Sequence, residues 1–136
     1  MSAASKVGLI AICLGGIVAV SAAGPQAPKK LLFLTHAGLY KHTSLGPAEM
    51  AVASWGEEAG YEVTSVQGYL QEQQELDLSI ITAEYLAQFD GVMMMTNGNL
   101  PMRDEQKRAL VDFVRQGGGF VAVHCAALTL FDYPAF

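Results

Sequence analysis

Short apolar runs alternate with helical patterns along most of this chain, and this alternation restricts the fold more than any other feature. Continuous apolar runs are typical of strands that are buried on both faces of a parallel sheet. The predicted strands are residues 31–35, 61–66, 91–96 and 120–124. The predicted helices are residues 47–59, 82–86 and 103–116. Strands that alternate with helices through right-handed crossovers give a doubly wound α/β sheet with helices on both faces.

The two longer helices have a predicted start, stop and apolar side. Pro47 suits the first position of the first helix, and Gly60 lies just beyond its end. Its apolar positions at helical spacing are Ala48, Ala51, Val52, Trp55 and Ala59. In the helix over 103–116, the residues predicted to face inward are Leu110, Phe113 and Val114.

The first 23 residues have the pattern of a secretory signal peptide. Lys6 precedes an uncharged apolar run over residues 7–20, and small residues follow at 21–23, where we expect cleavage. Residues 24–29 then form a linker, and the domain occupies residues 30–136. A retained membrane anchor is the alternative, although the apolar run is short for a bilayer span. We therefore expect a secreted or periplasmic protein with no membrane partner after cleavage. Cys13 leaves with the leader.

Charge and composition restrict the partners. The formal charge is −5, and the sequence has no basic run that could follow a nucleic-acid backbone. The basic residues of the helix over 103–116 alternate with acidic ones, which predicts a solvated face; they are Arg103, Lys107, Arg108 and Arg115. A small molecule is the expected partner, with a homo-oligomer left open. The last predicted strand leads to no closing element, so we expect the domain to be truncated at its C-terminus.

Polar side chains gather where the predicted strands end, and ligands of open α/β sheets bind at that edge. His36 and His42 follow the first strand, Asn97 follows the third, and His124 and Asp132 follow the fourth. With a strand order of 2-1-3-4, the third strand lies between the first and the fourth. The loops that carry the histidines would then converge around Asn97.

Each histidine also has a structural interpretation. His36 fits a surface residue, and Thr43 and Ser44 beside His42 fit helix caps as well as ligands for an anion at the helix N-terminus. His124 emerges from a buried strand, where a histidine acts as a general base or a ligand. The three histidines together offer a weak zinc site of the His₃ type; otherwise no cofactor is expected.

Cys125 lies where a strand-to-helix turn would present a nucleophile. Glutamine amidotransferases use a Gly-x-Cys-x-Gly turn there, whereas this sequence reads Val123-His124-Cys125-Ala126-Ala127, without either glycine. A nucleophile also needs a base that faces it, and adjacent His124 would point away if the strand continued. A small buried residue is therefore the default interpretation of Cys125.

Several motifs together resemble the trehalose-utilisation (ThuA-like) family. Residues 38–44 (GLYKHTS) look like its GFRH-S loop, and residues 104–106 (DEQ), followed by 117–126 (GGGFVAVHCA), look like its DEQ…GGGFVGIHxA segment. Residues 131–134 (FDYP) match its aromatic-Asp-aromatic-Pro stretch. The resemblance covers residues 30–136. One departure is that Ala127-Leu128-Thr129 replaces the usual Ser/Thr-Asp-Thr, which removes a carboxylate.

This resemblance implies a flavodoxin-type fold of the class I glutamine-amidotransferase-like superfamily, loss of the amidotransferase nucleophile, and a link to carbohydrate metabolism. The motif positions that it carries over as catalytic candidates are His42, His124 and Asp132. Around them, the candidate sugar-binding residues are Tyr40, Thr43, Ser44, Asn97 and Cys125.

Two functions remain open from the sequence. One is a carbohydrate-directed enzyme that uses His42 and His124 as acid, base or polar anchors. The other is a non-catalytic sugar-binding or accessory module, in which Tyr40, Phe131 and Tyr133 stack on sugar rings. The two opposed carboxylates of most glycoside hydrolases are not visible. A thiol enzyme that acts through Cys125 is a third alternative.

Overall fold

In the computed structural model, the described parts of the chain are residues 27–67 and 78–136. The predicted signal peptide and residues 24–26 of the predicted linker lie outside them, as does the Gln- and Glu-rich stretch 68–77. In the described parts, no helix is both long enough and apolar enough to cross a bilayer.

The described residues contain four strands, which form one parallel sheet. They are β1 (Lys29–Ala37), β2 (Tyr61–Gln67), β3 (Gly91–Asn97) and β4 (Gly119–Ala122). Their order is β2-β1-β3-β4, and each neighbouring pair is parallel. The predicted strand order is therefore confirmed. It is the flavodoxin-type order, in which β2 is added on one side of β1, and β3 and then β4 are added on the other.

Helices cover both faces of this sheet. They are α1 (Leu45–Glu58), α2 (Ala83–Leu86) and α3 (Asp104–Arg115), and a 3₁₀ helix follows β4 over His124–Leu128. Successive residues of β1 point to opposite faces, so Phe33 packs with α1 residues such as Leu45 and Val52. Leu32 and Leu34 pack on the other face with a cluster that includes Leu110 of α3. This three-layer arrangement confirms the predicted fold class.

The buried side of α1 differs from the apolar pattern of the sequence. The helix begins at Leu45 rather than at Pro47, and Trp55 is 66% exposed. The side that faces the sheet consists of Leu45, Glu49, Val52 and Gly56. A Cβ on Gly56 would clash with Cγ2 of Val63 in β2, so the missing side chain lets the helix lie close to the strand. Close approach at Gly56 turns Trp55 towards solvent.

The face of α3 also differs from the prediction. Val111 is buried instead of Val114, which is 38% exposed, while Phe113 is partly buried. The predicted solvated basic face is wrong at one position, because Lys107 is only 4% exposed. Thr82 caps the short helix α2, since its hydroxyl accepts a hydrogen bond from the amide of Tyr85.

The last strand is shorter than predicted. β4 ends at Ala122, and the backbone at His124 has a positive φ of 55°. His124 was predicted to end the strand but instead opens the 3₁₀ helix. This turn decides how the site is built.

Candidate functional site

The loop after β1 is held by the side chain of Asn97, at the end of β3. The Asn97 Oδ1 accepts hydrogen bonds from the amides of Leu39 (2.8 Å) and Tyr40 (3.2 Å). Its Nδ2 donates to the carbonyl of Tyr40 at 2.8 Å. A Cβ on Gly38 would lie 2.9 Å from the carbonyl oxygen of Asn97, so glycine permits the close approach of loop and strand. Asn97, which is 4% exposed, thereby positions this loop.

The segment after β4 is fastened to the same edge from the other side. The Gly98 amide donates to the Leu128 carbonyl at 2.7 Å, and the Leu130 amide donates to the Gly98 carbonyl at 3.1 Å. The hydroxyls of Thr96 and Thr129 share a buried hydrogen bond of 2.8 Å. Thr129 therefore takes part in fixing this segment, and β3 holds both loops that flank it.

These two segments bring His42, His124 and Cys125 together. One potential ligand atom of each lies within 4.8 Å of the others. Cys125 Sγ is 3.9 Å from His42 Nε2, and the rings of His42 and His124 meet edge to face with centroids 4.5 Å apart. We call these three residues the rim cluster. His124 is exposed, whereas His42 and Cys125 are half-buried, so the cluster opens to solvent.

The backbone at His124 has a positive φ, and the side chains of His124 and Cys125 both reach the rim cluster. Residues other than glycine rarely adopt this conformation, and such strain gathers at functional sites. In a continuing strand, His124 and Cys125 would point to opposite faces. Because β4 ends at Ala122, the continuing strand that would point His124 away from Cys125 does not form.

The remaining candidates around the loop after β1 are exposed. Tyr40 is 69% exposed, and its ring meets that of His42 edge to face at a centroid distance of 4.9 Å. Thr43 and Ser44 are also exposed. Ser44 is the N-cap residue of α1, but its side chain makes no capping hydrogen bond.

Asp132 is paired with a residue that the sequence analysis assigned to solvent. Its Oδ2 lies 2.6 Å from Nζ of Lys107, whose side chain is 6% accessible. The amide of Asp132 also donates to Oδ1 of Asn99 at 3.3 Å. The hydrogen bond to Asp132 is the main cause that raises the pKa of Lys107. The carboxylate side of this pair is exposed, since the Asp132 side chain is 45% accessible, and we call the two residues the Lys107–Asp132 pair.

His36 is separate from the rim cluster. It lies within β1, in register with Thr96, and is not among the ligand-type groups that approach one another in the described parts of the chain. Its Nδ1 is buried and finds no hydrogen-bond partner among the described residues. Burial lowers the pKa of His36. The structure thus places Cys125, and not His36, beside His42 and His124.

Comparison with known proteins agrees with this architecture. A family model described as trehalose utilisation (ThuA) matches residues 30–136. The chain belongs to the ThuA family. Neither the curated proteins nor the solved structures give a match. Membership confirms the family resemblance drawn from the motifs and indicates a role in trehalose utilisation or carbohydrate metabolism.

Sequence reasoning missed two groups at this edge of the ThuA domain. Lys107 belongs to a helix with both basic and acidic residues, so its neighbours in the sequence did not indicate burial. Its burial depends on how α3 packs against the segment after β4. Glu49 is 4% exposed, and its carboxylate accepts a hydrogen bond from the hydroxyl of buried Thr35. A signal for Glu49 existed, because it is four residues from Leu45 and three from Val52 on one side of α1.

Proposed function

We propose that this ThuA domain is exported, and that it binds and processes trehalose or a related sugar at the rim cluster. The observation that carries this proposal is the convergence of the His42 and His124 rings, 4.5 Å apart, at the edge where doubly wound sheets bind ligands. Membership of a trehalose-utilisation family supports a sugar as the ligand.

The chemistry of the rim cluster suits proton transfer to and from hydroxyl groups. An exposed imidazole accepts a proton from a sugar hydroxyl as a general base, and a second imidazole within contact distance returns one as a general acid. His124 is open to solvent and is the group that a ligand would meet first. His42 is half-buried behind it and would complete the pair.

The aromatic surface beside the cluster suits a sugar ring. Tyr40 is 69% exposed and meets His42 edge to face, so one face of its ring is available to a ligand. Tyr133 is less suited to this role, because it packs against the core and lies 6.0 Å from Nζ of Lys107. Phe131, 56% exposed, extends the apolar surface after β4.

Hydrolysis by two carboxylates is the less favoured chemistry. Such enzymes place two carboxyl groups on either side of the scissile bond. Asp132 lies against Lys107, which supports a positioning role for its carboxylate. The family pattern has a carboxylate at the position of Leu128, between Ala127 and Thr129. Leucine in its place favours the second candidate function, a non-catalytic sugar-binding module.

Isothermal calorimetry of the full chain against trehalose, glucose and related disaccharides tests the binding site. We expect binding of at least one sugar, with His42→Gln and His124→Gln each weakening it and His36→Gln serving as the matched histidine control. Absence of binding to every sugar, or equal loss in all three variants, would contradict the proposed site.

Turnover separates the enzyme from the binding module. If the protein is an enzyme, the His124→Gln variant should lose turnover but still fold and bind sugar. A binding module shows no product from the wild-type protein under the conditions in which the sugar is bound.

Export rests on the signal-peptide pattern of residues 1–23. Mass spectrometry of the protein recovered after expression in a secreting bacterial host should give a chain that begins at Ala23 or Gly24. A product that keeps its N-terminus and stays with the cytoplasmic fraction would contradict export.

A further inference from the structure

The rim cluster combines the side chains that bind zinc best. Imidazole nitrogen and cysteine sulfur are the common zinc ligands in proteins, and the cluster offers two of the first and one of the second. We propose that His42, His124 and Cys125 form a zinc site with three protein ligands. It replaces the three-histidine site considered from the sequence, because Cys125 takes the place of His36.

The distances fit a site that closes around the ion. Zinc bond lengths of about 2.0–2.3 Å place the ligand atoms of a tetrahedral site about 3.4–3.7 Å apart. Cys125 Sγ and His42 Nε2 are 3.9 Å apart, close to that separation. All three atoms lie within 4.8 Å of one another. Closing the site requires small movements of all three side chains, and that of His124 is exposed.

Two of the three ligands are carried by backbone that is already fixed. The loop before His42 is held by the three hydrogen bonds of Asn97. Cys125 lies in the 3₁₀ helix, whose end is joined to Gly98 through the Leu128 carbonyl. The third ligand, His124, has a strained backbone with a φ of 55°, and strain of this kind persists where a site requires it.

Three protein ligands leave the fourth position of a tetrahedral zinc site open. Structural zinc sites have four protein ligands, whereas catalytic sites keep one position for water or substrate. Because His124 is exposed, a molecule from solvent would reach this position beside it. With zinc bound, the two imidazoles would be ligands, and polarisation of a hydroxyl or carbonyl oxygen at the open position would replace proton transfer by His42 and His124. Zinc binding itself does not depend on the proposed sugar function and would survive its failure.

Metal titration of the purified, metal-stripped full chain tests the site. We expect one Zn²⁺ per chain, and we expect Co²⁺ to give a thiolate-to-metal charge-transfer band in the near ultraviolet. His42→Gln, His124→Gln and Cys125→Ser should each weaken Zn²⁺ binding at least about tenfold, since even loss of a supporting second-shell group costs about 10–100-fold. Cys125→Ser should also remove the charge-transfer band.

His36→Gln is the matched control and should bind Zn²⁺ as the wild type does. Because a variant can fail to fold, a second measurement uses the wild-type chain alone. Zn²⁺ should slow alkylation of Cys125 by iodoacetamide, followed on the peptide that contains Cys125 so that Cys13 does not interfere.

Three results would overturn the proposal. One is the absence of stoichiometric Zn²⁺ binding by the wild type. Another is equal loss of affinity in the His36→Gln and His42→Gln variants. The third is an alkylation rate of Cys125 that Zn²⁺ leaves unchanged, which would leave its contact with His42 as a thiol–imidazole pair without metal.

Discussion

The Lys107–Asp132 pair and the rim cluster each include a residue from the segment after β4, yet their polar groups differ in burial and in pairing. Lys107 is nearly inaccessible and meets Asp132 at 2.6 Å, so its charge is compensated. The rim cluster opens to solvent, its Cys125 Sγ and His42 Nε2 are 3.9 Å apart, and one member has a strained backbone. Polar groups that are paired hold the fold together, whereas groups that are close but weakly paired remain available for a ligand.

This comparison predicts the largest change in stability at the Lys107–Asp132 pair. Asp132→Asn removes the closer of the two carboxylates beside Lys107, leaving Asp104 at 3.6 Å, and should lower the free energy of unfolding by about 2 kcal/mol. Urea denaturation measures this change. Glu105→Gln is the matched control, because Glu105 pairs with Arg103 in an exposed salt bridge. It should cost no more than about 0.5 kcal/mol. Equal effects of the two variants would show that Asp132 is not a structural partner.

The second effect concerns the residue that holds the loop beside the rim cluster. Asn97→Ala removes three hydrogen bonds to the backbone at positions 39 and 40 and should cost about 1–2 kcal/mol. Zinc or sugar affinity should fall with it, since the loop that leads to His42 is released. Asn99→Ala removes one amide contact of an exposed side chain and is the control. If both variants behave alike in urea denaturation, Asn97 does not act as a clamp.

A smaller effect of opposite sign is expected in the rim cluster. His124→Gly relieves the positive φ and should raise the free energy of unfolding by about 0.5 kcal/mol while it removes the site. His42→Gly should instead lower stability, because His42 is not among the described residues with positive φ. Thermal denaturation distinguishes them. A loss of stability in His124→Gly would mean that the turn stores no strain.

The smallest effect belongs to His36, which is in neither group. Burial lowers its pKa below the ordinary value of 6.5, so the unfolded state binds its proton more readily than the folded state. His36 therefore reduces stability as the pH falls from about 6.5 towards its lowered folded pKa, and its effect is absent at neutral pH and above. His36→Asn should lessen the loss of stability between pH 7.5 and 5.5. An unchanged pH dependence would exclude this contribution.

The strand order and the three layers could be predicted from the sequence, because apolar runs and helical spacing are local signals that the sheet preserves. The two faces of β1 follow directly from alternation, as Phe33 and Leu34 show. The gathering of His42, Asn97 and His124 at one edge followed from the strand order. These parts needed no knowledge of side-chain packing.

Other features depended on contacts that the sequence does not encode locally. The exposure of Trp55 results from close packing at Gly56, and the burial of Lys107 results from its partner 25 residues later. The meeting of His124 with Cys125 in one cluster goes with the early end of β4 at Ala122 and the positive φ at His124. The apolar run that predicts the fourth strand extends to His124, so the sequence did not indicate a turn before Cys125.

The most direct test of the account uses the three histidines of this chain as reporters. Their ring signals can be assigned by NMR through single substitutions and followed while trehalose or another bound sugar is added. The account predicts that the signals of His42 and His124 shift together and saturate, while that of His36 stays in place. Shifts at His36 alone, or no shift at His42 and His124 when a sugar binds, would contradict a functional site at the rim cluster.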